Sequence, residues 1–278
     1  MRCLRLTAAL FLAVLAVPGN ADEIQPRAHP TTGAEIVIVP VTVGTSPGLS
    51  GAVWSVEGVA HNSSALYTAR LFVGTCRVDR IDECTLEIPP RKSVPLPLPL
   101  NDPIPYNSIL VPNAFDDHEP GTTPNDIWFQ LRVRDLTRQA ESAGTEIPIV
   151  RTRNLLDRTA QLLDIPIDSR FRTHLRLYLH PNGNPDGRFV LRLFRTEEGG
   201  SETLVEERRV TVPLPVLLLI YTGYPVGQLL VPDLFRGVDC GSCRVRVEID
   251  PEGEGVRYWA FVSVTNNETH EITTISPQ

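Results

Sequence analysis

A chain of 278 residues with 42% apolar side chains is long enough to bury a sizeable core, and its 33 acidic residues outnumber 26 basic ones for a net charge of −7. That balance argues against nucleic acid and anionic membranes as partners, since both recruit clustered Lys and Arg to displace counterions. The 25 prolines and 19 glycines oppose long helices, because proline lacks the amide donor and clashes with the preceding turn.

The amino terminus reads as a cleaved secretory signal. Arg2 and Arg5 precede an apolar stretch, Leu6 to Val17, and small residues at Pro18-Gly19-Asn20-Ala21 lead to the acidic Asp22 and Glu23. This stretch of twelve residues is too short to span a bilayer, which needs about 20. Cleavage after Ala21 takes the basic residues from 26 to 24 against 33 acidic ones, a net charge near −9. The predicted location is secreted or periplasmic, without stable membrane insertion of the mature chain. Residues 22–33 are expected to be a flexible amino-terminal segment.

The rest contains a repeat. EIVIV (Glu35 to Val39) is echoed by EIPIV (Glu146 to Val150), and RLF at Arg70 by RLF at Arg192. ILVPNAF (Ile109 to Phe115) is echoed by LLVPDLF (Leu229 to Phe235), and RVR at Arg132 by RVR at Arg244. The offsets are 111, 122, 120 and 112, so order is kept while loops vary. This predicts two tandem units, 34–144 and 145–278. In the echoed heptads, a strand stops at Pro112 or Pro232 and Phe115 or Phe235 folds back to plug the end of a sandwich.

Local patterning is that of strands. Phe171, Thr173, Leu175, Leu177 and Leu179 alternate with polar or larger neighbours, and the same period of two runs through Ile127 to Leu136, Arg188 to Arg195 and Cys243 to Asp250. Turn formers at Asn182–Gly187, Glu198–Gly200 and Pro251–Gly255 join such runs. The prolines at 95, 97, 99, 103 and 105 suit an edge segment that avoids pairing with other molecules. Only Asn154 to Leu163 could be helical, with Asn154 as cap, and LLDIPI can equally be extended. The fold class is therefore all-β: two tandem antiparallel β-sandwich domains after a signal peptide.

Four cysteines remain after cleavage. Local disulfides, Cys76 with Cys84 and Cys240 with Cys243, keep each bridge within one unit. CGSC resembles a redox motif, but the alternating strand that follows supplies no helix dipole to stabilise a thiolate. Asp116-Asp117-His118-Glu119, followed by Asn125 and Asp126, is the densest ligand cluster. Asp116, Asp117, Glu119 and Asp126 could hold Ca²⁺ or another hard cation, although EF-hand spacing is absent and a solvated acidic loop explains the same residues. The six histidines are dispersed. Asn62-Ser63-Ser64 and Asn267-Glu268-Thr269 match the glycosylation sequon. No nucleophile elbow, H-E-x-x-H or phosphate-binding glycine loop is present, so no catalytic residue or organic cofactor is assigned.

EIVIVPV with PGLSGAVW, the FRTHLRLY strand and the closing YWAFVSVTNNETHEITTISP resemble uncharacterised exported bacterial proteins, over most of the mature length. The resemblance implies paired immunoglobulin-like sandwiches and carries no catalytic residues. The functional expectation is a non-catalytic binding or structural module of the bacterial envelope, with a protein or a glycan as partner. The alternative is a metal-dependent secreted hydrolase using the Asp116–Asp126 loop.

Overall fold

The computed structural model describes residues 35–41, 46–47, 51–73, 76–77, 83–98, 108–111, 121–138, 143–180, 186–197, 200–213, 221–222, 226–231, 234–235, 238 and 242–278. The first half contributes β1 (Glu35–Ile38), β2 (Ser46–Pro47), β3 (Val53–Asn62), β4 (Ala69–Val73), β5 (Cys76–Arg77), β6 (Thr85–Ile88), β7 (Ser93–Pro95), β8 (Ser108–Val111), β9 (Ile127–Asp135), β10 (Thr145–Glu146) and β11 (Val150–Arg151). The second contributes β12 (Ala160–Ile167), β13 (Phe171–Leu179), β14 (Asp186–Thr196), β15 (Glu202–Pro213), β16 (Tyr221–Thr222), β17 (Gly227–Val231), β18 (Cys243–Glu252), β19 (Tyr258–Asn266) and β20 (Ile272–Ile275). Every pairing among them is antiparallel, as expected for alternating strands joined by short turns.

Each half is a sandwich of two sheets. In the first, sheet I runs β11-β1-β8-β4-β6, and sheet II runs β10-β9-β3 with β2 and β7 along the far edge of β3. Ile36, Leu71 and Ile109 from sheet I meet Ala60, Leu131 and Val133 from sheet II in one core. In the second, sheet I is β12-β18-β14-β15 and sheet II is β17-β13-β19-β20. There Leu162, Leu191 and Val247 meet Leu177, Ala260 and Val262. Alternate positions of β13 and β19 point into this core, as the period of two requires.

The halves share one topology. β1, β3, β4, β6, β7, β8, β9 and β10 pair among themselves as β12, β13, β14, β15, β17, β18, β19 and β20 do. Duplication is therefore visible in the strand order, but most of the echoed phrases do not mark it. RLF falls on the equivalent β4 and β14. ILV lies on β8 in sheet I, whereas LLV lies on β17 in sheet II; RVR falls on β9 and β18, again in different sheets. Leu110 packs partly against the first core, whereas Leu230 is 45% exposed on an edge strand. The equivalent phrases are IWFQLRVRD in β9 and YWAFVSVTN in β19, which share a Trp and a Val. An immunoglobulin domain sets its first strand beside its second. Here β1 lies on β8 and β12 on β18, so the first strand borders the sixth of the eight shared ones.

The boundary expected at 144/145 moves towards the carboxyl terminus. Thr145–Glu146 pairs with β9 and Val150–Arg151 with β1, completing the first sandwich's sheets. Leu155 packs into the first core and Leu156 against the second. The change of partner thus occurs across one peptide bond. The segment that could be helical has only a 3₁₀ turn at Thr152–Asn154, followed by the strand β12, whose register shifts between Leu162 and Ile165 with Asp164 at φ 56°. The strand wins because Leu162 and Ile165 both reach the core. Phe235 is buried in the second core with Leu234, as the plug reading expects; Phe115 lies outside the described residues. β7 holds Pro95 on the edge of sheet II, and residues 99–107 lie outside.

The first sequon is structural. Asn62 is fully buried, its amide donates to the carbonyls of Tyr67 (2.8 Å) and Ile88 (2.9 Å), and its oxygen accepts from Ser64 N at 2.9 Å. A glycan has no room on that nitrogen in the folded chain. Asn267 also donates its amide, to Ser169 O at 2.9 Å. Asn62→Ala leaves one buried and one part-buried carbonyl and an amide without their partner, and should cost about 2–3 kcal/mol in urea unfolding with an unchanged m value.

Candidate binding surfaces

Asp116, Asp117, His118 and Glu119 lie outside the described residues, so of the predicted cation ligands only Asp126 is placed. Its carboxylate closes a 3₁₀ turn, accepting from Thr123 N (2.8 Å) and Thr123 Oγ1 (2.9 Å). Beside it, Arg151 bonds buried Glu35 at 2.6 Å and donates to the carbonyls of Pro124 and Ile127. This knot fastens the turn to the β1–β11 edge. Among the described residues, no group of three or more His, Cys, Asp or Glu gathers as a metal site. Cys84 and Cys243 are both disulfide-bonded. The side chains of Cys76 and Cys240, their expected partners, are outside the described set.

The outer face of sheet II in the first sandwich carries an uncovered aromatic. Trp128 is 64% exposed on β9, opposite His61 of β3, whose Nδ1 lies 2.9 Å from Ser93 Oγ on β7. The next row places Pro95, the 38%-exposed Val59 and Gln130 side by side. Gln130 donates to Glu146 Oε2 at 3.2 Å, and Arg134 pairs with Glu57 at 2.5 Å. The result is an apolar strip of Trp128, Val59 and Pro95 rimmed by side chains that are already hydrogen-bonded. Period-two alternation showed that Trp128 faces away from the core, yet gave no reason to expect it uncovered.

The matching face in the second sandwich is covered around its tryptophan. Trp259 stands opposite Tyr178, one pair from the end of the β13–β19 ladder, as Trp128 stands opposite His61 in the β3–β9 ladder. Tyr178, Phe261 and Val226 are buried in the first sandwich's core, with Trp259 and Ile272 packed against it. The Tyr178 and Phe261 rings stack with centroids 6.1 Å apart, and Tyr178 OH donates to Pro40 O at 2.8 Å. Burial pushes the Tyr178 hydroxyl up to about 12, so it stays a donor at any physiological pH.

A buried polar pin completes this junction. His270 Nδ1 donates to Asp135 Oδ2 at 2.6 Å, with side chains 1% and 0% exposed. Asp135 Oδ1 also accepts from Val53 N (3.0 Å), Thr137 N (3.0 Å) and Thr137 Oγ1 (2.7 Å). Burial alone would raise this carboxyl; the bonds from Thr137, Val53 and His270 outweigh it and hold the group well below the usual carboxylate range. Trp54 lies beside the imidazole, with ring centroids 6.1 Å apart. Thr145 Oγ1 and Arg257 add bonds to Ile272 O (2.7 Å) and Thr152 O (2.5 Å) across the same boundary. Neither Asp135 nor His270 was singled out as a pair in the sequence, because 135 positions separate them.

The same face of β13 presents Arg172, His174 and Arg176 at alternate positions, opposite Thr265, Ser263 and Phe261. Among the described residues none of the three forms an ion pair, and Arg172 Nε is buried without a hydrogen-bond partner. Burial, then Arg176 and Arg172, push the His174 imidazole below its ordinary 6.5.

No protein-family model and no curated protein matches the chain. Among solved structures, "Structure of infectious bursal disease virus Gx strain" is similar at 9% identity, covering 88% of this chain and 71% of that one, with a TM-score of 0.24. "Crystal structure of infectious bursal disease virus VP2 subviral particle" is similar at 10% identity with the same coverage and a TM-score of 0.21.

Two tests address the junction. Asp135→Asn should destabilise the chain by about 3 kcal/mol at neutral pH in chemical unfolding, because it strands His270 and weakens three other bonds. For His174, the unfolded chain binds the extra proton between 6.5 and the lower folded value. Stability should therefore rise with pH through that window and be level above it, and His174→Gln should flatten the rise.

Proposed function

We propose that this chain is an exported, non-catalytic binding module that takes a glycan on the outer face of the first sandwich's sheet II. The observation that carries the reading is Trp128, 64% exposed at a position whose counterpart, Trp259, is a contact residue in the second sandwich. An indole offers a broad apolar face at little entropic cost, suited to the C–H face of a pyranose ring. Val59 and Pro95 extend that strip, while His61, Ser93, Gln130 and Glu146 supply donors and acceptors where the ring's hydroxyls would lie. A saccharide is apolar on its faces and polar round its edge, which is the pattern of this surface. Export is supported by the signal-like residues 1–21 and by the likeness to exported bacterial proteins. Metal-dependent hydrolysis draws no comparable support, since Asp126, its one described ligand, is taken up by Thr123.

Calorimetric titration of the mature chain with a panel of soluble polysaccharides, followed in parallel by tryptophan emission, tests this. Binding to at least one member should weaken about 30-fold in Trp128→Ala, the size of loss expected from a central aromatic contact, with the melting temperature unchanged. Equal affinity in that variant, or binding to none, would overturn the glycan reading. Protection of Trp128 from oxidation by a protein alone would replace the glycan with a protein partner.

A further inference from the structure

We propose that Arg172, His174 and Arg176 form an oxyanion-binding row, whose ligand carries phosphate, sulfate or carboxylate groups. The inference stands apart from the Trp128 surface and does not depend on it. Three observations converge. Both arginines are half-buried, and among the described residues neither has a carboxylate within ion-pairing distance, although most other half-buried arginines of the second sandwich do: Arg192 reaches Glu207, Glu248 and Asp250, and Arg195, Arg208 and Arg246 each reach a glutamate. Arg172 Nε is buried with no acceptor, and Trp259 Nε1, on the same sheet face, is in the same condition. A buried donor left without an acceptor costs free energy, so Arg172 is stabilised by a ligand that brings only acceptors.

The surroundings fit such a ligand. Ser263 and Thr265 stand opposite His174 and Arg172, with Thr274 beyond Ser263, so hydroxyl groups border the cations on one side. After burial, the charges that push His174 down are those of its two arginine neighbours. The corresponding positions of the first sandwich are Ser55, Glu57 and Val59, where Glu57 is paired with Arg134. The cationic row is thus peculiar to the second half. Same-face neighbours on a strand lie about 7 Å apart, so one phosphate spans His174 and a single arginine, while a polymer with repeated charges engages both. Net acidity does not oppose this, because a local row of cations with no carboxylate partner among the described residues sets its own potential within about 10 Å at moderate salt.

The experiment uses the mature chain at low ionic strength, with inorganic phosphate and polygalacturonate as probes and sodium chloride at matched ionic strength as control. NMR titration of the wild-type histidines should show the His174 midpoint moving upward with phosphate, since an anion offsets the two arginines, and moving less with chloride. Calorimetry should find tenfold or greater loss of affinity for the better probe in Arg172→Gln/Arg176→Gln. Binding of polygalacturonate alone supports the row with a polymeric anion as its ligand; binding of both makes the free ion sufficient. An unmoved His174 midpoint with both probes, an effect chloride reproduces in full, or undiminished binding in a folded double variant overturns the proposal.

Discussion

A β-sheet that packs against a core on each face holds this molecule together. In the second sandwich, Leu175, Leu177, Ala260 and Val262 of sheet II point into its own core, while Tyr178, Phe261 and Val226 are buried in the core of the first. One sheet therefore contributes to two hydrophobic cores, and neither is complete without it. The hydrophobic term dominates because it is proportional to area, and this sheet removes apolar area from water on each side. The Asp135–His270 pin and the Tyr178–Pro40 bond then fix the relative placement that a purely apolar contact would leave loose.

Against this junction, the two copies of sheet II have been put to different use. The second is covered where its Trp259 lies, and the first is open where its Trp128 lies. The residues around the open copy are correspondingly polar: His61 stands where the other has Tyr178, and Gln130 where it has Phe261. Covering explains the apolar set and solvation the polar one. Trp128 is the exception, a large apolar side chain in the solvated copy.

Much of the fold was legible in residues whose environment is set locally. The alternation in FRTHLRLYL and in CRVRVEID placed β13 and β18, because a strand with one face on a core must repeat every two residues. The repeat was legible as a fact but not in its register. Short phrases such as RVR record only the alternation of a strand with a polar outer face, and any strand can produce them; β9 and β19 match through a Trp and the spacing of apolar positions instead. The strands at 145–151 were assigned to the wrong half because their partners, β9 and β1, lie far back in the chain, and strand partners leave no local trace. The candidate surfaces were hidden for the same reason. That Trp128 is bare while Trp259 is covered, and that Arg172 and Arg176 lack acids among the described residues, are properties of packing.

Leu155 and Leu156 have one more bearing. Adjacent side chains that anchor in opposite cores leave the chain no slack between the halves, unlike a glycine- or serine-rich tether that lets modules drift. The Trp128 strip and the cationic row are consequently held at one spacing, like two marks on a ruler. Whether a single long ligand can occupy both is decided by its own reach and stiffness, and a ligand of the right repeat would gain avidity from that rigidity alone.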